Sequence, residues 1–349
     1  MIKNALRRLL LILIFLAALA GGVTWLGSLD PFGEVPMVRE KWAYWQQHKE
    51  EFDTVFIGTS RTHRGIVPAV FDELNAKAGV PTHSFNFGID GMFPPEDAYV
   101  AEAILRDPPK KLKWVILELG VFLGDFEGRP PKSVRSVYWH DWPRTWLVMR
   151  NNLWPKKRPV KWQKWFEAKP GEASDADVAM THLEVWLTKT LNIGRGANLW
   201  RARAFGRPEE DTLGPHKEGF QPTSGDGVMR GDVLKIWREK FAERQQTPGR
   251  ITPMRPYTQE SLDRVLSFVR RCGAQGIVLI APTTGELRGY PDKASKVPVF
   301  DFCDLQKYAE LFVEDVRTDT GHVNVRGADL YTRRVSEEFL KYNQSSTSR

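Results

Sequence analysis

Cysteine is nearly missing from this chain: its 349 residues hold two, Cys272 and Cys303. A disulfide scaffold is therefore excluded, and the pair reads either as a single bridge or as two thiols. Metal-binding patterns are missing as well. The sequence has no His-Glu-x-x-His and no zinc-finger spacing, so neither a metal nor another cofactor is called for. No Gly-rich loop ends in Gly-Lys-Ser or Gly-Lys-Thr, which removes P-loop nucleotide hydrolysis. No repeat of solenoid period is present. An aromatic RNA-binding signature is absent too, so nucleic acid ranks low among partners.

What remains is an ordinary globular composition with a basic bias. Apolar residues make up 42% and charged residues 27%, enough for a sizeable buried core. The net charge is +7. That favours contact with anionic glycans, phospholipid headgroups or nucleic acid without choosing among them. The amino terminus is more specific. Lys3, Arg7 and Arg8 precede eighteen uncharged residues from Leu9 to Leu26, which just reaches membrane-spanning length. Ala18-Leu19-Ala20 also fits a signal-peptidase site. A retained anchor is the preferred reading, because the apolar stretch outruns a signal core and Trp25 suits an interface. Either way the positive end stays inside, and the rest of the chain is expected to be extracytoplasmic. The boundaries follow: a signal-anchor over 1–29, a connector over 30–50 and a domain over 51–349.

That domain begins in α/β rhythm. Val55-Phe56-Ile57 is a short apolar run, Gly58 and Thr59 turn the backbone, and Ser60 follows. A helix is expected from Pro68 to about Gly79. A second strand is expected near Asn86, a helix from Pro94 through Leu105, and a third strand over Trp114–Gly120. The rhythm breaks over about 128–255, where Trp139, Trp142, Trp146, Trp154, Trp162 and Trp165 crowd a basic segment. This insertion reads as helical with a small core of its own or a membrane-facing belt, against a sugar-stacking or partner-docking surface. From Tyr257 the pattern resumes with a helix to Gly273 and a strand at Ile277–Ile280. A further strand is expected at Leu311-Phe312-Val313, and a last helix over about 326–342. Strands alternating with helices predict a parallel sheet with helices on both faces.

Chemistry can sit at two places. Open α/β sheets carry their sites at the carboxyl ends of the strands, where Ser60 lies. Asp319-Thr320-Gly321-His322 precedes the last helix. Serine nucleophiles need an imidazole to take the hydroxyl proton and a carboxylate to orient it. The alternative is a polar loop with Asn324 as helix cap.

Taken together, Gly58-Thr59-Ser60, Asn86-Phe87-Gly88-Ile89-Asp90-Gly91 and Asp319-x-x-His322 stand in the order found in SGNH (GDSL-type) hydrolases. The chain resembles that superfamily over 51–125 and 257–342, and most resembles membrane-anchored members that work in cell-surface polysaccharide O-acetylation. The resemblance implies a flavodoxin-like three-layer α/β/α sandwich. It implies Ser60 as nucleophile, His322 as base, Asp319 as orienting carboxylate, and the N–H groups of Ser60 and Gly91 as oxyanion donors. It also implies a carbohydrate or acyl-ester substrate and a separate membrane O-acyltransferase as partner. Two positions depart from the family pattern. Thr59 stands where Asp is usual, and Gly120-Val121-Phe122-Leu123 lacks the family's oxyanion Asn. Glu118, just before, is expected either to line the site or to pair with Arg61 or Arg64. The reading favoured is ester hydrolysis or acyl transfer on a cell-envelope carbohydrate. The competing class is a non-catalytic envelope protein of the same shape that binds glycan or scaffolds an acyltransferase.

Overall fold

Val55, Phe56 and Ile57 put apolar side chains on both faces of a strand, so the sheet they join must be covered on both sides. The computed structural model describes residues 2–30, 32–118, 129–153, 174–206, 211–223, 227–246, 250–284 and 287–347. Twelve α-helices lie among the described residues: α1 (Ile2–Ser28), α2 (Pro36–His48), α3 (Ser60–Gly65), α4 (Pro68–Lys77), α5 (Glu96–Arg106), α6 (Val134–Val137), α7 (Trp142–Leu153), α8 (Asp175–Thr190), α9 (Arg195–Phe205), α10 (Gly231–Gln246), α11 (Pro256–Arg271) and α12 (Val325–Thr347). The main sheet has five strands: β1 (Thr54–Gly58), β2 (Ser84–Gly88), β3 (Trp114–Glu118), β4 (Gln275–Ile280) and β5 (Val299–Asp301). They run parallel in the order β2-β1-β3-β4-β5. A separate parallel pair joins Arg250–Pro253 to Leu287–Tyr290.

The chain forms two compact units, Met1–Arg39 with Gly124–Glu209, and Glu40–Leu123 with Glu210–Arg349. The second unit carries the main sheet. On one face, Phe56, Ile116, Ile277 and Leu279 join Phe71 of α4 and Tyr331, Val335 and Phe339 of α12 in one buried cluster. The alternate positions Val55, Ile57, Val115, Leu117 and Val278 are buried too. Helices α5 and α11 pack on each other, as do α4 and α12. The carboxyl half of α2 covers β2, with Trp45 fully buried against Phe85 and Phe87 at ring separations of 5.7 and 6.3 Å. Within 40–50, Lys41 and Trp45 are thus buried against the sheet, while Ala43, Gln46, Gln47 and Glu50 are exposed.

Local chemistry sets the boundaries. Pro68 opens α4, and Gly79, at φ +80°, follows its end. Gly273, at φ +72°, does the same after α11. Asn324 caps α12, its Oδ1 accepting from Gly327 N at 3.0 Å. One strand is misplaced in the sequence reading. Leu311 and Phe312 are buried, but they lie in a 3₁₀ turn, Ala309–Phe312. The fifth strand is Val299–Asp301 instead. A three-residue apolar run carries no period, so pattern alone does not separate a strand from a buried turn.

The first unit holds α1 and helices α6 to α9. The apolar stretch Asn4–Ser28 is 25 residues, about 37 Å of helix at 1.5 Å per residue, against a bilayer hydrocarbon core of about 30 Å. By length and composition it can cross a membrane. Helices α7 and α8 pack together, with the buried imidazoles of His140 and His182 2.9 Å apart. Trp139 is buried and stacks on His140, whereas Trp142 and Trp146 are exposed and stack on each other. Trp154, Trp162 and Trp165 lie outside the described residues.

The two cysteines form no bridge. The Cys272 thiol donates to Leu105 O and the Cys303 thiol to Ala281 O, both as free thiols.

Phe339 is fully buried against Phe71 and Trp114. Phe339→Ala is expected to cost about 3–5 kcal/mol, the range for truncating a buried aromatic. A lowered urea midpoint at unchanged slope would register it.

Candidate active site

The site is built where β1 and β2 end in register, Gly58 beside Gly88. Both glycines are forced by close approach. A Cβ on Gly58 would lie 2.2 Å from Thr62 Oγ1, and one on Gly88 would lie 2.3 Å from His63 N. Their absence of side chain lets α3 start directly over the strand ends, which lifts Ser60 to the carboxyl edge of the sheet.

Helix α3 is short and is held at both ends. At its start, the buried Glu118 carboxylate accepts from Thr59 N at 2.8 Å, from Thr59 Oγ1 at 3.0 Å and from Thr62 Oγ1 at 2.9 Å. Arg61 Nε completes the arrangement as an ion pair at 2.8 Å from Glu118 Oε1. Of the expected partners, then, Arg61 pairs with Glu118, and Arg64 pairs with Asp90 instead. At the end of α3, the buried Asn86 amide donates to Thr62 O and Ile66 O, both at 2.7 Å. Thr62 O also accepts from Ile66 N at 3.1 Å, so Asn86 joins the two carbonyls on either side of the helix end.

The second half of the site comes from the loop before α12, far away in sequence. Arg317 is fully buried and donates to Pro282 O and Thr320 O at 3.0 Å each. It ties this loop to the segment following β4. Burial lowers the Arg317 guanidinium to about 10, partly offset by the Asp319 charge. Asp319 Oδ1 accepts from Gly321 N and His322 N at 2.6 and 2.8 Å. The carboxylate is thereby fixed before it meets the imidazole.

The two halves meet. Ser60 Oγ lies 2.7 Å from His322 Nε2. His322 Nδ1 lies 2.9 Å from Asp319 Oδ2 and 3.0 Å from Oδ1. Burial alone would raise the Asp319 carboxyl. The His322 contact and the backbone donors outweigh it and bring the group down to about 2. The arrangement is hydroxyl, imidazole and carboxylate in line, which can take a proton from the hydroxyl as it attacks an electrophile.

An open cleft of about 470 Å³ lies over this line, bordered by Ser60, Arg64, Asp90, Gly91, Thr223, Thr318, Asp319 and His322. Gly91 is therefore at the cleft with the three residues expected of the site. The stretch 119–128, which holds Phe122, lies outside the described residues.

A second imidazole stands close by in sequence, and the structure separates its role. His63 is buried, with Nδ1 at 2.9 Å from Asp90 Oδ1. Burial, with the nearby Lys41 charge, lowers it to about 4, so it is neutral at pH 7. Burial would raise Asp90, but its bonds to His63 and Arg64 hold it well below the usual carboxylate range. The Arg64–Asp90 pair forms part of the cleft wall. Under it lies Lys41, fully buried, donating to Asn86 O, Gly88 O and Gly219 O at 3.0, 2.6 and 2.7 Å. Its ammonium holds the backbone leading into Ile89-Asp90-Gly91.

Sequence reasoning gave no role to Asp90 and did not find Lys41 or Arg317. Asp90 had a signal, since it sits between Gly88 and Gly91 beside a candidate oxyanion donor. Lys41 and Arg317 had none, because a buried cation bonded to carbonyls has no spacing rule. No protein-family model matches this chain, and no curated protein matches it.

Two outcomes follow from these contacts. Glu118→Ala strands the donors of Thr59, Thr62 and Arg61, and is expected to cost about 1–3 kcal/mol for the groups left unpaired. Glu118→Gln, which keeps acceptor capacity, should cost less, and chemical denaturation of both variants measures the difference. For acid stability, the Asp319 carboxyl is brought down to about 2 in the fold from an ordinary 3.8. A depressed carboxylate stabilises above the unfolded value and loses that contribution as pH falls through the folded one. Asp319→Asn should therefore flatten the stability profile between about pH 4 and pH 2, read as circular dichroism against pH.

Proposed function

We propose that the chain is a serine esterase or O-acyltransferase of SGNH type that acts on a cell-envelope carbohydrate. The observation that carries this reading is the line Ser60 Oγ, His322 Nε2, His322 Nδ1, Asp319, at 2.7 and 2.9 Å and open to a cleft. The strand order, counted along the five strands as 2-1-3-4-5, supports a flavodoxin-like three-layer sandwich, the fold the resemblance implies. Helix α1 supports an anchored protein, with Lys3, Arg7 and Arg8 kept on the cytoplasmic side and the catalytic unit outside it.

In this reading His322 Nε2 accepts the Ser60 proton as Oγ attacks an acyl carbonyl. The tetrahedral oxyanion is held by the N–H groups of Ser60 and Gly91. Collapse releases the first alcohol, which takes the proton back from His322, and leaves an acyl-serine. Water or a sugar hydroxyl then gives its proton to His322 and attacks the acyl carbon, and collapse of the second tetrahedral intermediate breaks the acyl–Oγ bond as His322 returns that proton to Ser60 Oγ. Asp319 keeps Nδ1 of the imidazole protonated and stabilises the imidazolium in both halves. The cleft is bordered by the Arg64–Asp90 pair and by Thr318, polar groups suited to a polyhydroxyl acceptor. A membrane O-acyltransferase is the proposed donor partner.

The test is covalent labelling with a fluorophosphonate together with turnover of a small acetyl ester by the full-length chain in native membranes. Wild type should label at Ser60 and turn over the ester. Ser60→Ala should abolish labelling, and Ser60→Ala or His322→Ala should each lower turnover about 10⁴-fold or more, the double variant losing little further. Wild-type chain that neither labels nor turns over would assign the protein to the non-catalytic, glycan-binding or scaffolding class.

A further inference from the structure

Helix α9 is inside out for the surface of a water-soluble unit. None of its residues is buried. Arg195, Asn198, Leu199 and Ala202 form a half-buried stripe at helical spacing. The opposite face centres on Trp200, 63% exposed, with Arg203 to one side, Arg201 to the other and Phe205, 79% exposed, at the end. The turn leading into it adds Leu191 and Ile193, 50% and 61% exposed. From Val185 to Pro208 the chain has no Asp or Glu, but it has Lys189, Arg195, Arg201, Arg203 and Arg207.

The position of this helix is fixed by α1. Asn192 Nδ2 donates to Val23 O at 3.0 Å, and Arg195 donates to Leu26 O, Leu29 O and Asp30 O at 2.6, 3.1 and 2.9 Å. Val23 O lies within the last turns of α1, Leu26 O is among its last four carbonyls, and Leu29 O and Asp30 O follow its end. Val23 is five residues before the end of α1, about 7.5 Å along its axis. The α8–α9 turn therefore stands level with the last turns of α1, where Trp25 is also exposed.

We propose that α9 is an interfacial helix, lying on the anionic lipid surface of the membrane that α1 spans, with Trp200 and Phe205 inserted at headgroup depth. The inference rests on α1 spanning that membrane. Trp and Phe between arginines suit this depth, the rings entering the acyl boundary while the guanidiniums reach phosphate. Arg195 is paired with Glu34 at 2.6 Å, so it is the exposed Arg201 and Arg203 of α9 that select anionic lipid. The catalytic reading plays no part in this inference.

The test uses the full-length chain with Cys272→Ser and Cys303→Ala, reconstituted in phosphatidylcholine–phosphatidylglycerol vesicles. A single polarity-sensitive fluorophore is placed by Trp200→Cys, by Ala17→Cys within α1, or by Glu239→Cys on the exposed face of α10. The probes at 200 and 17 should shift to shorter wavelength, lose quenching by aqueous iodide and gain quenching by brominated lipid. The probe at 239 should do none of these. Arg201→Glu with Arg203→Glu should restore iodide quenching at 200 and leave 17 protected. A probe at 200 quenched by iodide as strongly as that at 239, while 17 stays protected, overturns the proposal. A probe at 17 that iodide also quenches overturns the spanning reading, and the proposal with it.

Discussion

The Glu118 carboxylate is the constraint on which the rest of the site depends. It ends the central strand β3 and is buried, and four donors from Thr59, Arg61 and Thr62 converge on it. A buried carboxylate is costly unless paired and fully hydrogen-bonded, so its presence commits the first turn of α3 to one place. Asn86 commits the last turn. A helix of six residues has little stability of its own. Here the sheet supplies what the helix lacks, and Ser60 inherits the rigidity of two strands.

The other half of the site is fixed by different means. Asp319 and His322 sit on a loop, yet that loop is bonded to the segment after β4 through Arg317 and to itself through Asp319. Two anchored pieces that meet at 2.7 Å need no movement to assemble. Such preorganisation is what a proton relay requires, because small displacements of the partners cost large factors in rate. The neutral His63 shows the contrast. It is only three residues from Ser60, but it is buried, and its bond goes to Asp90, which borders the cleft.

Much of this was readable from the chain. Four of the five sheet strands and the helices expected from Pro68, Tyr257 and about Arg326 were indicated by local pattern; Ser60, Asp319 and His322 were candidates by pattern, and their assignment to one site came from the resemblance. Those signals are short-range: a period, a cap, a proline or a three-residue spacing. The unread parts are long-range. β5 carries only three residues, fewer than any periodicity needs. Glu118 presents the same sequence signal whether it faces substrate or clamps a helix. Lys41 lies in a stretch that looks polar and connecting, and its burial depends on carbonyls from residues 86, 88 and 219. The division into units joins residues 1–39 to 124–209, a pairing no local window contains.

Lys41 also bears on the open edge of the sheet. β2 is the edge strand of the sheet, and an open edge invites pairing with the edge of another chain. Here Asn86 O and Gly88 O are taken by the lysine, and Asn86 N donates to Glu218 O. Gly219 comes so near that a Cβ on it would lie 2.0 Å from Asn86 O. The rim is thus closed by an inward-pointing charge from one side of the sequence and a loop from the other. In the folded chain the two together occupy the backbone groups of residues 86 and 88 that a neighbour's strand would need, so this rim is no template for a further strand.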